Sequence, residues 1–332
     1  EDYFDWRILD KFMGWCRKYN LRMEMLWFSW SSGGRIQYLW NYNGRKEPRT
    51  PDYVCSKDGD SEFNMLKKTW EYSLDWKDIN LRNREKYVLE QIMEHIAVWE
   101  ANNNNPHTVI GVQLGNEAHE TGDNKATAAE IIDYYHYVGA AVKESNHVVW
   151  TRLNCVSWMT SGRISANEHK RKNGGTNIDF VGIDIYGTSA SGIKGDMGGQ
   201  LPQSGKNYAM IMEIDAKDSN SPLYQIAAIA GNKAFDYYNM GFVDGNALYI
   251  QEPNQNALKE REHIMLVRQR NKILNMANQD VALKKHGSGL YVYNYAGNSV
   301  SKEEGIEGLS FTPDQTSTQA IAIRRSETEI VL

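Results

Sequence analysis

The sequence predicts an α/β protein: a (β/α)8 TIM barrel, incomplete at its N-terminus, followed by a β-rich C-terminal segment. Three observations lead there. Short apolar runs alternate with helical patterns six times between residues 21 and 239, the mark of βα units laid on a parallel sheet. Two of those runs end abruptly in carboxylates, and the carboxyl ends of barrel strands are where this fold class places its chemistry. Beyond Gly287 the pattern changes to short strands joined by turns.

Taken in order, residues 2–19 read as an amphipathic helix, with Phe4, Ile8, Phe12 and Trp15 at helical spacing. Leu21 to Phe28 reads as a strand, and Ser29 to Gly34 as a polar loop after it. Residues 35–80 are a long connection, and loops of that length in a compact domain are usually functional. A helix follows over 80–100, striped by Tyr87, Ile92, Ile96 and Trp99, and Asn102 to Pro106 closes it with turn chemistry. Val109-Ile-Gly-Val-Gln-Leu-Gly-Asn-Glu117 is an apolar run without Pro, suited to a parallel strand buried on both faces. The next helix spans 126–145, with Ala126, Ala129, Ile132, Tyr135 and Val138 as its stripe. Strands are expected at 147–154, 178–186, 208–215 and 234–239, a short helix at 222–233, and a closing helix over 257–283. In the C-terminal segment, Leu290, Gly308, Ala320 and Glu329 each open a short strand. A barrel domain over residues 1–285 and an accessory segment over 286–332 follow from this division.

Composition bounds the function. A chain of 332 residues, 41% hydrophobic, can bury one large core or two. Its net charge of −5 and unclustered basic residues call for neither nucleic acid nor an acidic membrane surface. Cys16, Cys55 and Cys155 form no C-x-x-C pair, hence no redox or metal motif and no disulfide framework. No apolar run is long enough for a membrane-spanning helix. Gly-x-Ser-x-Gly and phosphate-binding Gly loops are absent. His119, with Glu117 and Glu120, stands at a spacing foreign to zinc sites, so neither metal nor cofactor is expected. No signal peptide opens the chain; the compartment stays open, with a periplasmic or extracellular setting favoured over a cytoplasmic one. Oligomeric state is likewise open.

The polar pair Asn116-Glu117 at the tip of a buried strand has no core partner to account for it. Tyr208-Ala-Met-Ile-Met-Glu213 is a second apolar run that meets a carboxylate near its end. At roughly 30 residues per βα unit, Glu213 follows Glu117 by about three units. Two carboxylates on strands so separated can face each other across a barrel mouth, the pairing that glycoside hydrolysis needs.

These residues carry a family resemblance. The chain resembles the clan A glycoside hydrolases, and within them the β-galactosidase-like families 35 and 42. Gln113-Leu-Gly-Asn-Glu117 matches the family's Gln-x-x-Asn-Glu run at the end of strand four, and Glu213 falls where a second Glu closes strand seven. Pro51-Asp-Tyr53 resembles the family's Pro-x-Trp after strand three, and Asn239 to Gly245 loosely resembles its loop after the last strand. The resemblance covers residues 1–285. It implies a retaining hydrolase with Glu213 as nucleophile and Glu117 as acid/base, and it implies that Asn116 binds the sugar 2-hydroxyl. It also implies that residues 21–28 are strand three, so that strands one and two are absent from this sequence: either the sequence is an incomplete fragment, or another segment completes the barrel.

Each assignment has a plainer counterpart. Asn116 could cap the next helix. Tyr186, at the tip of its strand, could hold Glu213 ionised or simply pack. Trp27, Trp30 and Trp158 follow strands and could stack on sugar or fill core; ten Trp and nineteen Tyr leave room for both uses. Asp184 and Asp215 lie close enough to strand tips to rival Glu213. The expected partner is a carbohydrate, with a β-galactoside first. The alternatives are an endo-acting clan A enzyme on a plant glucan, mannan or xylan, and a carbohydrate-binding protein without turnover.

Overall fold

The structure, a computed structural model of the whole chain, describes residues 4–27, 38–40, 46–48, 62–64, 69–71, 79–115, 128–156, 177–185, 210–214, 236–237, 249–251, 258–261, 264–284, 290–296, 299–302 and 319–331. The chain divides into two units, residues 1–181 and 182–332.

The first unit opens with helix α1 (Arg7–Lys18) and strand β1 (Met23–Leu26). Two small antiparallel hairpins follow inside the long connection, β2 (Tyr38–Trp40) with β3 (Lys46–Pro48) and β4 (Glu62–Asn64) with β5 (Thr69–Glu71). Then come α2 (Ile79–Asn102), β6 (Val109–Gln113), α3 (Ala128–Lys143), β7 (Trp150–Val156) and the start of β8 (Phe180–Ile185), which runs across the division. Strand β6 lies between β1 and β7 and is parallel to both.

The apolar run of β6 explains its central place. Val109 and Val112 are fully buried, as is Leu114 just beyond the strand, so both faces are covered. Helices α2 and α3 pack on each other. Leu89, Met93 and Ile96 of α2 join Ile132, Tyr135, Val138 and Val142 of α3 in one core with β6. Burying each such side chain contributes about 1.5–3 kcal/mol. Polar clamps finish the joints. Glu100, near the end of α2, accepts the backbone N–H groups of Thr108 (2.6 Å) and Val109 (3.0 Å). The chain reverses between them through Asn104, Asn105 and His107 at positive φ (65°, 50° and 51°), a region Asn tolerates. Lys143 donates to Asp179 (2.5 Å) and to the Val149 carbonyl (2.7 Å), and Asp179 accepts the Thr151 N–H (2.8 Å), joining α3, β7 and the approach to β8.

Two expected stripes are shifted. On α1 the buried residue is Met13, with Leu9 packed beside it. Ile8, Phe12 and Trp15 are 70%, 51% and 46% exposed. They lie roughly a quarter-turn around the helix from the Leu9–Met13 face, and the Lys11 ammonium sits over the Trp15 ring. On α2 the buried row is Leu81, Glu85, Leu89, Met93, Ile96 and Glu100, while Tyr87 is exposed. That row keeps strict i, i+4 (and one i+3) spacing, which the conspicuous aromatics obscured.

In the second unit β8 pairs in parallel with β9 (Met210–Ile214), and β9 with β10 (Asp236–Tyr237). The six parallel strands expected between residues 21 and 239 are therefore β1, β6, β7, β8, β9 and β10. Next stands an antiparallel hairpin, β11 (Tyr249–Gln251) with β12 (Leu258–Glu260). It corrects the closing helix: residues 258–260 are extended because they pair with 249–251, and this cross-strand pairing overrides the helical propensity of Leu-Lys-Glu. Helix α4 runs Ile264–Lys284. Strands β13 (Leu290–Ala296), β14 (Ser299–Lys302), β15 (Gln319–Arg324) and β16 (Ile330–Val331) form an antiparallel sheet in the order β14-β13-β15-β16. Arg325 pairs with Asp280 of α4 (2.7 Å) and with Glu329 (3.1 Å). The expected helix at 222–233 and strand at 308–311 lie outside the described residues.

Candidate active site

The carboxyl end of β6 is clamped from several sides. The Trp27 N–H donates to the Gln113 carbonyl (2.9 Å), extending the β1–β6 ladder one residue past β1. On the other side the Leu114 N–H donates to the Arg152 carbonyl (2.8 Å). The Gln113 side-chain amide donates to the Gly115 carbonyl (3.2 Å). Gly115 has no Cβ because one would run into the Tyr135 ring of α3. The backbone that leads into Asn116 is thus held by two neighbouring strands, its own Gln side chain and a helix-borne aromatic.

Beneath this tip, Glu24 of β1 forms an ion pair with Arg152 of β7, both side chains buried. The register sets Glu24 beside Gly111 of the intervening β6. A side chain at Gly111 would strike the Trp150 indole, which lies directly over the glycine.

Of the residues expected to form the site, Trp27 and Glu213 fall among the described ones. Asn116, Glu117, Tyr186, Trp30 and Trp158, and the rival Asp215, lie outside them. Trp27 packs against the core, and its indole Nε1–H donates to Glu85 Oε2 of α2 (2.8 Å). Glu85 is 6% exposed. Burial pushes its carboxyl up to about 7, against the opposing pull of the Trp27 hydrogen bond and the Arg84 charge.

In the second unit Glu213 is the penultimate residue of β9 and stands in register with Asp184 of β8. Register partners on adjacent strands project to the same side of a sheet. Ile211 and Met212 are buried and Glu213 is partly exposed, whereas Asp184 is 2% exposed. Of these two neighbouring carboxylates, solvent reaches Glu213.

The sequence reading passed over Glu85 and the Glu24–Arg152 pair. Both had a signal. Glu85 occupies an i, i+4 position between Leu81 and Leu89, and Glu24 interrupts Met23 and Met25; a charge inside an apolar row is buried only when partnered. Among the described residues, no group of three or more His, Cys, Asp and Glu could hold a metal ion. No helix among them is long and apolar enough to cross a membrane.

No protein-family model matches the chain, and no curated protein matches it in sequence. Solved structures do. An exo-beta-1,4-mannosidase from Opitutaceae bacterium strain TAV5 is 12% identical, with a TM-score of 0.54 over 81% of this chain and 49% of that one. A beta-galactosidase from the psychrophilic Marinomonas ef1 is 10% identical, with a TM-score of 0.56 over 86% of this chain and 55% of that one. Endo-glycoceramidase II from Rhodococcus sp. is 11% identical, with a TM-score of 0.52 over 80% of this chain and 66% of that one. The chain spans about half the length of the first two. At these identities the likeness is one of fold: the parallel βα architecture is similar to that of glycoside hydrolases with differing substrates.

Proposed function

We propose that this chain is a retaining glycoside hydrolase acting on a β-glycosidic bond, with residues 1–285 as its catalytic barrel and 286–332 as an accessory segment. The observation that carries the reading is Glu213: a solvent-reached carboxylate at the carboxyl end of a parallel strand, in a fold similar to that of several glycoside hydrolases. In such folds the strand carboxyl ends hold the active site.

In this mechanism a Glu213 carboxylate oxygen attacks the anomeric carbon as the glycosidic C–O bond breaks. Glu117 gives its proton to the departing oxygen. A water then loses its proton to Glu117 and attacks the same carbon, which breaks the glycosyl–Glu213 ester and restores both groups. The geometry this requires is a carboxyl separation of about 5–5.5 Å. Asn116 would bind the 2-hydroxyl, Tyr186 would steady Glu213, and Trp27, Trp30 and Trp158 would contact sugar. Of these, Trp27 has its indole N–H turned to Glu85, which leaves only its ring for such contact.

A β-galactoside is the first substrate to test. The fold neighbours include an exo-beta-1,4-mannosidase and an endo-glycoceramidase and so do not single out one substrate; an endo-acting enzyme on a plant glucan, mannan or xylan is the second reading, and carbohydrate binding without turnover the third. A panel of activated 2-fluoro-glycosides, read by intact mass and peptide mapping, decides among them. A label on Glu213 that Glu213→Gln abolishes is the expected result. A label on Asp184 or Asp215 would move the nucleophile. A folded protein that binds sugars, hydrolyses none and takes no label would overturn catalysis.

A further inference from the structure

Glu85 is buried in α2, on the row that packs the core, yet it has no place in the hydrolytic chemistry above. Its carboxylate oxygen accepts the Trp27 indole N–H at 2.8 Å. Trp27 in turn donates its backbone N–H to the Gln113 carbonyl, and the Gln113 amide holds the Gly115 carbonyl. Gly115 is followed directly by Asn116 and Glu117. Four residues therefore form an unbroken hydrogen-bonded line from the inside of a helix to the backbone that carries the proposed acid/base.

We infer that Glu85 is a positioning residue: by holding the Trp27 indole, it fixes the end of β6 up to Gly115, the residue that precedes Asn116 and Glu117 in the sequence. The catalytic half of this inference rests on the proposed hydrolase reading; the hold on Trp27 does not.

The charges around Glu85 leave its proton state free to matter. On α2, Arg84 is the cation that acts on it. Arg82 is engaged with Asp133 of α3, and Lys86 with Glu90 and with Glu144 beyond α3. Glu130 of α3 has interactions of its own. On the β1 side, Glu24 is paired with Arg152. A neutral Glu85 accepts the indole N–H while buried without charge. An ionised Glu85 accepts it more strongly but draws water or Arg84 toward the site. The burial that lifts its titration to about 7 places this change at neutral pH.

The test uses the full chain and three variants. Glu85→Gln keeps the shape and an acceptor oxygen but cannot titrate. Glu85→Leu removes the acceptor, and Trp27→Phe removes the donor. With the hydrolysed aryl glycoside, kcat should fall about tenfold or more in Glu85→Leu, with little change in KM. The wild-type pH profile should show an ionisation near 7 that Glu85→Gln lacks. Thermal unfolding identifies a variant that fails to fold, in which case Glu85→Gln decides. Unchanged kcat and an unchanged pH profile in folded Glu85→Gln and Glu85→Leu would overturn the positioning role. A second readout needs no turnover. In protein labelled with 5-fluorotryptophan, the ¹⁹F line lost in Trp27→Phe should shift with a midpoint near pH 7 and hold still in Glu85→Gln. A Trp27 line indifferent to pH in the wild type would sink the coupling itself. If that line titrates in a protein that hydrolyses no glycoside, the hold on Trp27 stands and the hydrolase reading fails.

Discussion

The ends of β6 and β9 solve one positioning problem differently. The end of β6 is set in backbone: ladder bonds to Trp27 and Arg152 on either side, a Gln113 side chain folded onto Gly115, and a Tyr135 ring that only glycine can approach. The end of β9 is set by neighbours in register, with Glu213 partly open beside a buried Asp184. Under the proposed chemistry the difference is sensible. A nucleophile must meet the substrate directly and needs access. An acid/base group that gives and regains one proton needs unvarying placement more than exposure. Strand ends that look alike as sequence are thus held by unlike means.

The contrast can be broken at its foundation first. Glu24→Leu takes the Glu24 carboxylate away from the buried Arg152 guanidinium below the β6 end, and should cost about 3–5 kcal/mol in denaturant unfolding. A cost near zero would mean that this pair does not support the sheet.

Glu85 gives the next largest effect, and it depends on pH. Its carboxyl titrates at about 7 in the folded protein against an ordinary 4.5. The folded state therefore holds a proton that the unfolded chain has released. Stability from this group is complete below pH 4.5 and is lost as pH rises to about 7, by about 3 kcal/mol. Glu85→Gln, which keeps no such proton, should gain on the wild type across that window. Parallel unfolding curves for the two proteins from pH 4.5 to 7.5 would refute the assignment.

Gly115→Ala sharpens the comparison at smaller scale. The added methyl meets the Tyr135 ring and should cost about 1–3 kcal/mol. Its counterpart on the other strand, Glu213→Gln, should change stability by less than about 1 kcal/mol, since the side chain is partly open to solvent. Equal losses in thermal unfolding would erase the distinction drawn between the two ends.

How legible this was follows from where each force acts. The parallel strands and the helices α2 and α3 were readable because their periodicity is local and their burial strong; Ile132, Tyr135 and Val138 face the core as their spacing predicts. The helix α1 was readable as a helix but not in its orientation. Its larger residues Ile8, Phe12 and Trp15 form the more conspicuous stripe, yet Leu9 and Met13 make the contact. The extended 258–260 and the hairpins between residues 38 and 71 were missed because strands of three residues are too short to show an alternating pattern, and cross-strand pairing is what holds them extended. At the site, Glu213 and Asp184 were both singled out, but which of them is open to solvent depends on packing that sequence does not express. Glu85 was legible only as a charge in an apolar row, and its partner could not be read from the chain.

The carboxylate of Glu100 has one more consequence. It receives the amides of Thr108 and Val109 inside a fully buried joint. Those two hydrogens cannot trade with solvent while α2 and β6 stay together. Their exchange should be among the slowest in residues 1–181 and should report the free energy of opening the whole helix–strand joint rather than of a local fluctuation. A single buried glutamate thus makes the turn between two elements, ordinarily the first place to fray, part of the most persistent structure in its unit.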